Sequence, residues 1–430
     1  MDKLKNHLIG CDECGLITNV PLLSQAQTAQ CPRCGHTLTQ TPQKPYQTAV
    51  ALTISCLILL VLSLTFPFMS FSVQGMTQEI TLLNAAKMLG EFQNVLLAIL
   101  LFTTVILFPA LYITILLFVS FKAAQSTQRQ LSSSEIQRAK LLCKTLLTVQ
   151  PWLMVDVFLI SVLVSLIKIA SLAEVAMGYS FWAFCFFAML VVKTVSLVDR
   201  YWLWQHFIPA QTPQGVNAGQ THCTHNSVSC HTCQQINLLR PDQKKPTCLR
   251  CGSRLHAYHP QLNLQWAWAL LLAAIIFYIP ANLYPMMYTV SLGKSEGSTI
   301  MQGVILLWHL GSYPVAMVIF LASIFIPMAK MFALGWLYWQ AGKLNVFPEQ
   351  HNLKRLKVYR VTEFIGRWSM IDIFVVAILV SLVQLHNLMA IYPGPAALSF
   401  AAVVILTMLS AMVFDSRILW QEPPVSHQQQ

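Results

Sequence analysis

Eight of the twelve cysteines stand in two groups of paired Cys-x2-Cys steps. Cys11, Cys14, Cys31 and Cys34 form the first, and Cys230, Cys233, Cys248 and Cys251 the second. Sixteen residues separate the pairs in the first group and fourteen in the second. A Cys-x2-Cys step turns two thiolates toward one side of an ion, so two steps at this spacing match a four-thiolate zinc ribbon, with Zn–S of about 2.3 Å. Pro32, Gly15, Gly35 and Gly252 suit the tight turns such knuckles need. Four thiolates leave no open coordination position, so the expected Zn²⁺ is structural at both sites. His222, Cys223, His225 and His231 offer competing ligands beside the second group. A redox use of the Cys-x2-Cys pairs is the alternative, but no βαβ pattern surrounds them. Cys56, Cys143 and Cys185 lie in apolar stretches and read as small apolar side chains.

A second set of residues carries charge where the surroundings are apolar. Asp156 and Asp372 recur at equivalent places, and Lys193 and Lys330 fall inside other apolar runs. Ionised groups inside a bilayer are expensive, so they pair, reach the interface or serve function. The spacing suggests Asp156 with Lys193, and Asp372 with Lys330 or Arg367. The functional alternatives are proton coupling or a polar seat for a lipid headgroup. Pro67, Pro109, Pro285 and Pro327 also recur in pairs, each within or near the end of an apolar run, followed in two cases by Met69 and Met287. An internal proline removes a helical hydrogen bond, which a membrane tolerates where neighbours satisfy the freed carbonyl. A packing kink and a broken helix lining a path for lipid are both open.

The elements that must hold these residues follow from composition. Of 430 residues, 56% are hydrophobic and only 10% charged, against about 25% charged in soluble domains. No ionised residue lies between Lys44 and Glu79, Glu91 and Lys122, Arg254 and Lys294, or Asp372 and Asp415. A spanning helix needs about 20 apolar residues. Eight spans are expected, near 47–68, 92–121, 150–171, 180–201, 266–288, 304–338, 368–387 and 396–418. Of the 27 Lys and Arg residues, 22 fall on one side of these spans and only Lys87 and Lys294 on the other. That asymmetry places both termini in the cytoplasm. Trp152, Tyr201, Trp202, Trp204, Trp266, Trp268, Trp336, Trp339, Trp368 and Trp420 fit interfacial anchoring. The net charge of +11 therefore reflects membrane orientation, and nucleic acid is not an expected partner.

The two halves repeat. Trp152-Leu153-Met154-Val155-Asp156-Val157-Phe158 lies over Trp368-Ser369-Met370-Ile371-Asp372-Ile373-Phe374, and Asp199 to Trp204 over Asp415 to Trp420. The expected fold is an all-α polytopic membrane protein in which a cytoplasmic ribbon plus four helices is used twice. Its domains are ribbon 1 (1–44), membrane unit 1 (45–205), linker and ribbon 2 (206–262), membrane unit 2 (263–422) and a tail (423–430). No phosphate loop, HExxH, nucleophile elbow or GxGxxG occurs, so neither an ATPase nor any other enzyme is expected.

This doubled unit resembles the paraquat-inducible protein A family, which includes the A component of the lipophilic envelope-spanning tunnel. The resemblance rests on Phe66-Pro67-Phe68, Glu79 to Leu83, Gly311 to Ala316, Gly366 to Asp372 and Ser410 to Asp415. It implies a Gram-negative inner-membrane protein beside a periplasm-spanning tunnel protein of the mammalian-cell-entry (MCE) type, with an outer-membrane lipoprotein as a further partner. The implied process is phospholipid traffic between membranes that supports envelope integrity. It also implies that the eight ribbon cysteines are metal ligands. A passive anchor or regulator of the tunnel, and a small-molecule exporter linked to paraquat stress, are the alternatives.

Overall fold

Apolar runs of helix length are followed in each half by short strands of alternating character, and the computed structural model resolves this pattern into two copies of one element order. It describes residues 7–420 except 22, 25, 42–44, 74–75, 92–94, 127–131, 171–173, 212, 214, 222–226, 240–245, 256–258, 292–293, 310, 312, 344–348, 383 and 386–388. The competing ligands His222, Cys223 and His225, and the tail 423–430, lie outside the described residues.

Ribbon 1 comprises two antiparallel hairpins, β1 (His7–Gly10) with β2 (Ile17–Val20), and β3 (Thr28–Gln30) with β4 (Thr37–Gln40). Unit 1 begins with α1 (Pro45–Thr65), then β5 (Met69–Val73) and β6 (Met76–Ile80). Next come α2 (Leu82–Glu91), α3 (Val95–Leu101), a π-helical turn at Phe102–Leu107 and α4 (Phe108–Ser126). The unit closes with α5 (Ser133–Val149), α6 (Val155–Ala170), β7 (Glu174–Met177), α7 (Tyr179–Leu197) and α8 (Arg200–Phe207). Ribbon 2 holds the hairpin β8 (Ser227–Ser229) and β9 (Ile236–Leu238) and a bridge from Thr247 to Arg254.

Unit 2 repeats the order. It runs α9 (Pro260–Leu283), β10 (Met287–Ser291), β11 (Lys294–Ser298), α10 (Ile300–His309), α11 (Tyr313–Phe320), a π-helical turn at Leu321–Phe325 and α12 (Ile326–Gly342). It ends with α13 (Glu349–Trp368), α14 (Ile371–Leu382), β12 (Gln384–Leu385), β13 (Met389–Pro393), α15 (Pro395–Val413) and a short 3-10 turn at Ser416–Trp420.

Seven helices among the described residues are long and apolar enough to cross a membrane. In the eighth expected region, 368–387, α14 has 12 residues, about 18 Å at 1.5 Å per residue and short of a core about 30 Å thick. Ile373 to Val380 are all buried, as in a helix apolar on every side. α14 packs against α6, α2 and α3. Phe158 and Phe374, which the repeat makes equivalent, meet edge to face with centroids 5.6 Å apart. Contact between equivalent residues places a pseudo-twofold axis between the halves.

Several expectations need correction. The chain is not all-α: beyond the ribbon hairpins, each unit carries an antiparallel sheet, in order β6-β5-β7 in unit 1 and β11-β10-β13-β12 in unit 2. The short segments after α1 and α9 pair in register with segments arriving from α6 and α14, which satisfies their backbone groups. Pro67 and Pro285 stand just past the ends of α1 and α9 rather than within them, and their carbonyls meet Gly178 and Gly394. A Cβ at either glycine would lie 2.0 Å from that carbonyl oxygen. The helical proline of the first span in unit 2 is Pro280.

Pro109 and Pro327 each stand two residues past the end of a π-helical turn. A proline ring crowds the carbonyl four residues back, and the wider π turn relieves that clash. Two polar helices, α5 and α13, were not anticipated; each joins the second expected span of its unit to the third.

The halves are not fully equivalent. In unit 1, α2 and α3 belong to the main core against α14, whereas Val304, Ala316 and Ile319 of α10 and α11 form a small cluster of their own.

Candidate functional site

Each knuckle is a turn closed by its own backbone. Gly15 N donates to Cys11 O at 2.9 Å, Gly35 N to Cys31 O at 2.9 Å, Gln234 N to Cys230 O at 2.8 Å and Gly252 N to Cys248 O at 2.9 Å. The turn needs a left-handed residue after the second cysteine, which glycine adopts without steric cost. In each ribbon the four sulfurs lie within 4.8 Å of one another. The Cys11–Cys34 and Cys14–Cys31 sulfurs are 3.5 Å apart, as are Cys230–Cys251 and Cys233–Cys248. These distances exceed a disulfide's S–S length of about 2.05 Å. They approach the separation of about 3.8 Å that a tetrahedral ZnS4 centre with 2.3 Å bonds requires.

The thiols suit a divalent cation. Hydrogen bonds with the other three cysteines push Cys11 above the ordinary thiol range, while those from Cys11 and Cys14 hold Cys31 and Cys34 below it. A bound metal would replace the shared protons and fix the two hairpins of ribbon 1 to each other. In ribbon 2 Asn237 Nδ2 lies 3.6 Å from Cys248 Sγ and its Oδ1 accepts from Leu249 N at 3.1 Å, which orients a ligand from outside the cluster.

Each ribbon packs against the unit it does not directly precede, and β4 of ribbon 1 also bonds Asp199 and Ser196 at the end of unit 1. Ribbon 1 shares a buried cluster with unit 2, in which Ile9, Leu38 and its four cysteines meet Leu337, Tyr338, Phe414 and Trp420. Glu13 is the polar centre of this contact. Burial disfavours its charge, but hydrogen bonds from His36 and Arg360 hold its carboxyl below the usual range. The same Glu13 raises His36. Arg360, on α13, also donates to Cys34 O at 3.1 Å, and Ser416 Oγ donates to Glu13 O at 3.1 Å.

Ribbon 2 in turn packs on unit 1. Arg250 donates to Ile208 O at 2.8 Å and to Gln205 Oε1 at 3.2 Å, and its guanidinium lies 5.4 Å from the Tyr201 ring centroid. Arg33, its counterpart in ribbon 1, lies 4.5 Å from the ring centroid of Trp420. Trp204, Trp420 and Tyr201 are therefore buried under ribbons and do not serve as interfacial anchors. Glu13, Arg360, Arg33 and Arg250 were not singled out from sequence. The one available signal was the repeat itself, which sets an arginine just before the last cysteine of each ribbon.

The ribbons also touch each other. Ile17 N donates to Gln220 O and Gly219 N to Ile17 O, both at 2.8 Å. Between them and the membrane units lies a cavity of about 1010 Å³, lined by Asp12, Asp199, Arg200, His231, Gln234 and Glu363 among others. Asp199 accepts from Thr39 Oγ1 and Gln40 N, both at 3.0 Å, and Arg417 Nε donates to Asp415 Oδ1 at 2.7 Å.

The intramembrane candidates do not converge. Asp156 and Asp372 each occupy the second position of a helix, α6 and α14. No ion pair joins Asp156 to Lys193 among the described residues, and Lys193 is exposed. Lys330 is 3% exposed, and its Nζ donates to Thr407 Oγ1 at 3.0 Å beside the backbone of Gly366. The expected pairing of Asp372 with Lys330 or Arg367 lies outside the described side chains. Pro109 and Pro327 are buried within their helices, Met69 is buried at the start of β5, and Met287 is half-buried at the start of β10.

A twofold-repeated, multi-pass membrane protein with two four-cysteine clusters is thus the class that fold and site define. The family model for paraquat-inducible protein A matches residues 46–208 and 264–423, and the chain belongs to that family. It is 40% identical over 98% of its length, and 97% of the relative's, to the intermembrane transport protein PqiA of Escherichia coli K12. A probable intermembrane transport protein of Haemophilus influenzae is 31% identical over 96% of each chain. The lipophilic envelope-spanning tunnel protein A of Escherichia coli is 26% identical over 95% of this chain and 90% of that protein. No solved structure matches.

Proposed function

We propose that this protein is an inner-membrane component of phospholipid transport between the membranes of a Gram-negative envelope. It hands lipid to or from a periplasm-spanning tunnel protein of the MCE type. The observation that carries this reading is the likeness, over 98% of the chain, to a relative named an intermembrane transport protein. The distribution of Lys and Arg supports cytoplasmic termini and ribbons, which leaves the two sheets facing the periplasm and available to the tunnel. Structural Zn²⁺ held by Cys11, Cys14, Cys31 and Cys34, and by Cys230, Cys233, Cys248 and Cys251, clamps each ribbon to the opposite unit. Lipid passes along the helices interrupted at Pro109 and Pro327 toward the surfaces near Pro67–Met69 and Pro285–Met287. Asp156, Lys193, Lys330 and Asp372 are the polar residues that couple this passage to a driving force.

The reading is tested by reconstituting the protein with its tunnel partner and following labelled phospholipid to acceptor vesicles. Transfer depends on the protein and is lost in Asp372→Asn with metal content unchanged. Transfer that proceeds equally without the protein sinks the transport role, and tunnel binding alone then identifies it as an anchor.

A further inference from the structure

The exposed face of α13 changes character along its length. Lys354, Lys357, Val361 and Phe364 are all exposed, and at about 100° per residue they share one stripe of the helix. Lysine gives way within it to valine and phenylalanine, each 56% exposed. Two contacts with the antiparallel α12 set the depth of that change. Arg355 Nη2 donates to Gln340 Oε1 at 2.8 Å, and farther along a Cβ at Gly366 would lie 3.0 Å from Lys330 Nζ. Gln340 stands near the end of α12, where Trp336 and Trp339 are exposed and Lys343 Nζ lies 4.1 Å from the Trp339 ring centroid. Tryptophan and lysine together at the end of a span mark the bilayer boundary. Lys354 and Lys357 flank Arg355 in the helix and so lie at that boundary. Val361 and Phe364 lie about 9 and 14 Å beyond Arg355, toward the hydrocarbon.

A face covered by protein would be apolar throughout, and one in water polar throughout. A stripe that turns from lysine to phenylalanine at the tryptophan level follows the edge of a bilayer. Charge then selects the lipid. Lys343, Lys354 and Lys357 are all exposed at this level. The acids of α13, Glu349 and Glu363, stand about 140° and 180° round the helix from Lys354, and Glu363 lines the cavity between the ribbons and the membrane units. Arg360 is held by Glu13, away from the stripe. A zwitterionic headgroup carries its own cation and gains little here, whereas a net-negative one gains from each lysine. We propose that this stripe of α13 holds an anionic phospholipid of the adjoining leaflet, with Lys354 and Lys357 at its phosphate and Val361 and Phe364 along its acyl chains. The inference goes beyond the transport reading, because lipid held at the rim of a unit need not be cargo.

The test uses full-length protein in detergent with both metal sites loaded. Native mass spectrometry compares phosphatidylglycerol with phosphatidylethanolamine at matched acyl chains and low salt. Phosphatidylglycerol binds more tightly. Lys354→Gln combined with Lys357→Gln lowers its affinity about tenfold or more at unchanged metal content, and Arg254→Gln, which removes an exposed charge from ribbon 2, leaves it unaltered. In membranes, a photo-crosslinking benzoylphenylalanine in place of Phe364 captures phospholipid. The lipid comparison needs no substitution, so it decides even where a variant fails to load metal. The proposal is overturned if neither lipid binds or both bind equally, or if the metal-loaded double variant keeps full affinity for phosphatidylglycerol. It is equally overturned if Arg254→Gln weakens binding as much, or if the probe at Phe364 captures only protein.

Discussion

Arg417 and Asp415 form a bidentate pair with side chains only 7% and 11% exposed. Removing one partner of such a pair strands a buried charge, which costs about 3–5 kcal/mol. Arg417→Ala is therefore expected to lower the thermal midpoint of the purified protein far more than Arg138→Ala on α5; equal midpoints would show the pair to be dispensable. At Gly178 and Gly394 the argument is steric, since a Cβ would sit 2.0 Å from the carbonyl oxygen of Pro67 or Pro285. Backbone cannot yield as a flexible side chain does. Gly394→Ala should abolish accumulation of folded protein in the membrane, whereas Gly303→Ala, with open space around it, should be tolerated. Immunoblots of membrane fractions decide.

The elements differ in how much core each owns. α2 and α3 share the main core with α14, while α10 and α11 have a small cluster of their own and leave Met301, Leu306, Trp308 and Met317 exposed. Local opening follows local packing, so amides of Val304 to Ile319 should exchange faster than those of Leu82 to Leu101 in hydrogen-exchange mass spectrometry. Equal protection would mean that lipid or a partner replaces the missing contacts. The strands and the polar helices also lie at opposite ends of the spans. A cysteine placed at exposed Ser295 on β11 should react with an impermeant maleimide from the periplasm, and one at exposed Ser134 on α5 only after permeabilisation. The reverse pattern would invert the topology.

Across the molecule, the docking of the ribbons ties each four-cysteine cluster to the unit it does not directly precede, ribbon 1 to unit 2 and ribbon 2 to unit 1. Loss of a structural metal loosens what its ribbon clamps. Cys31→Ser should raise hydrogen exchange in α12, α13 and the turn Ser416–Trp420 while sparing α4 and α5. Cys248→Ser should do the opposite, exposing α8 and the segment near Ile208. Loosening of the unit that follows each ribbon in the chain would refute the crossed arrangement.

Cysteine clusters, apolar spans and the repeat were legible in the sequence because each is a local or periodic property: cysteine spacing, runs without charge, similarity at a constant shift. The outer sheets were not, because β5 and β10 are completed by β7 and β13, which lie about a hundred residues away in the chain. The shortness of α14 was hidden by its composition, which is that of a span, since burial in protein and burial in lipid select the same side chains. Nor could spacing tell that Trp204 and Trp420 sit beneath ribbons, or that Asp156 and Lys193 do not pair. Which ribbon clamps which unit was decided only in three dimensions. Both halves present similar apolar seats, and the choice between them rests on single long-range contacts such as Glu13 with Arg360 and Arg250 with Gln205.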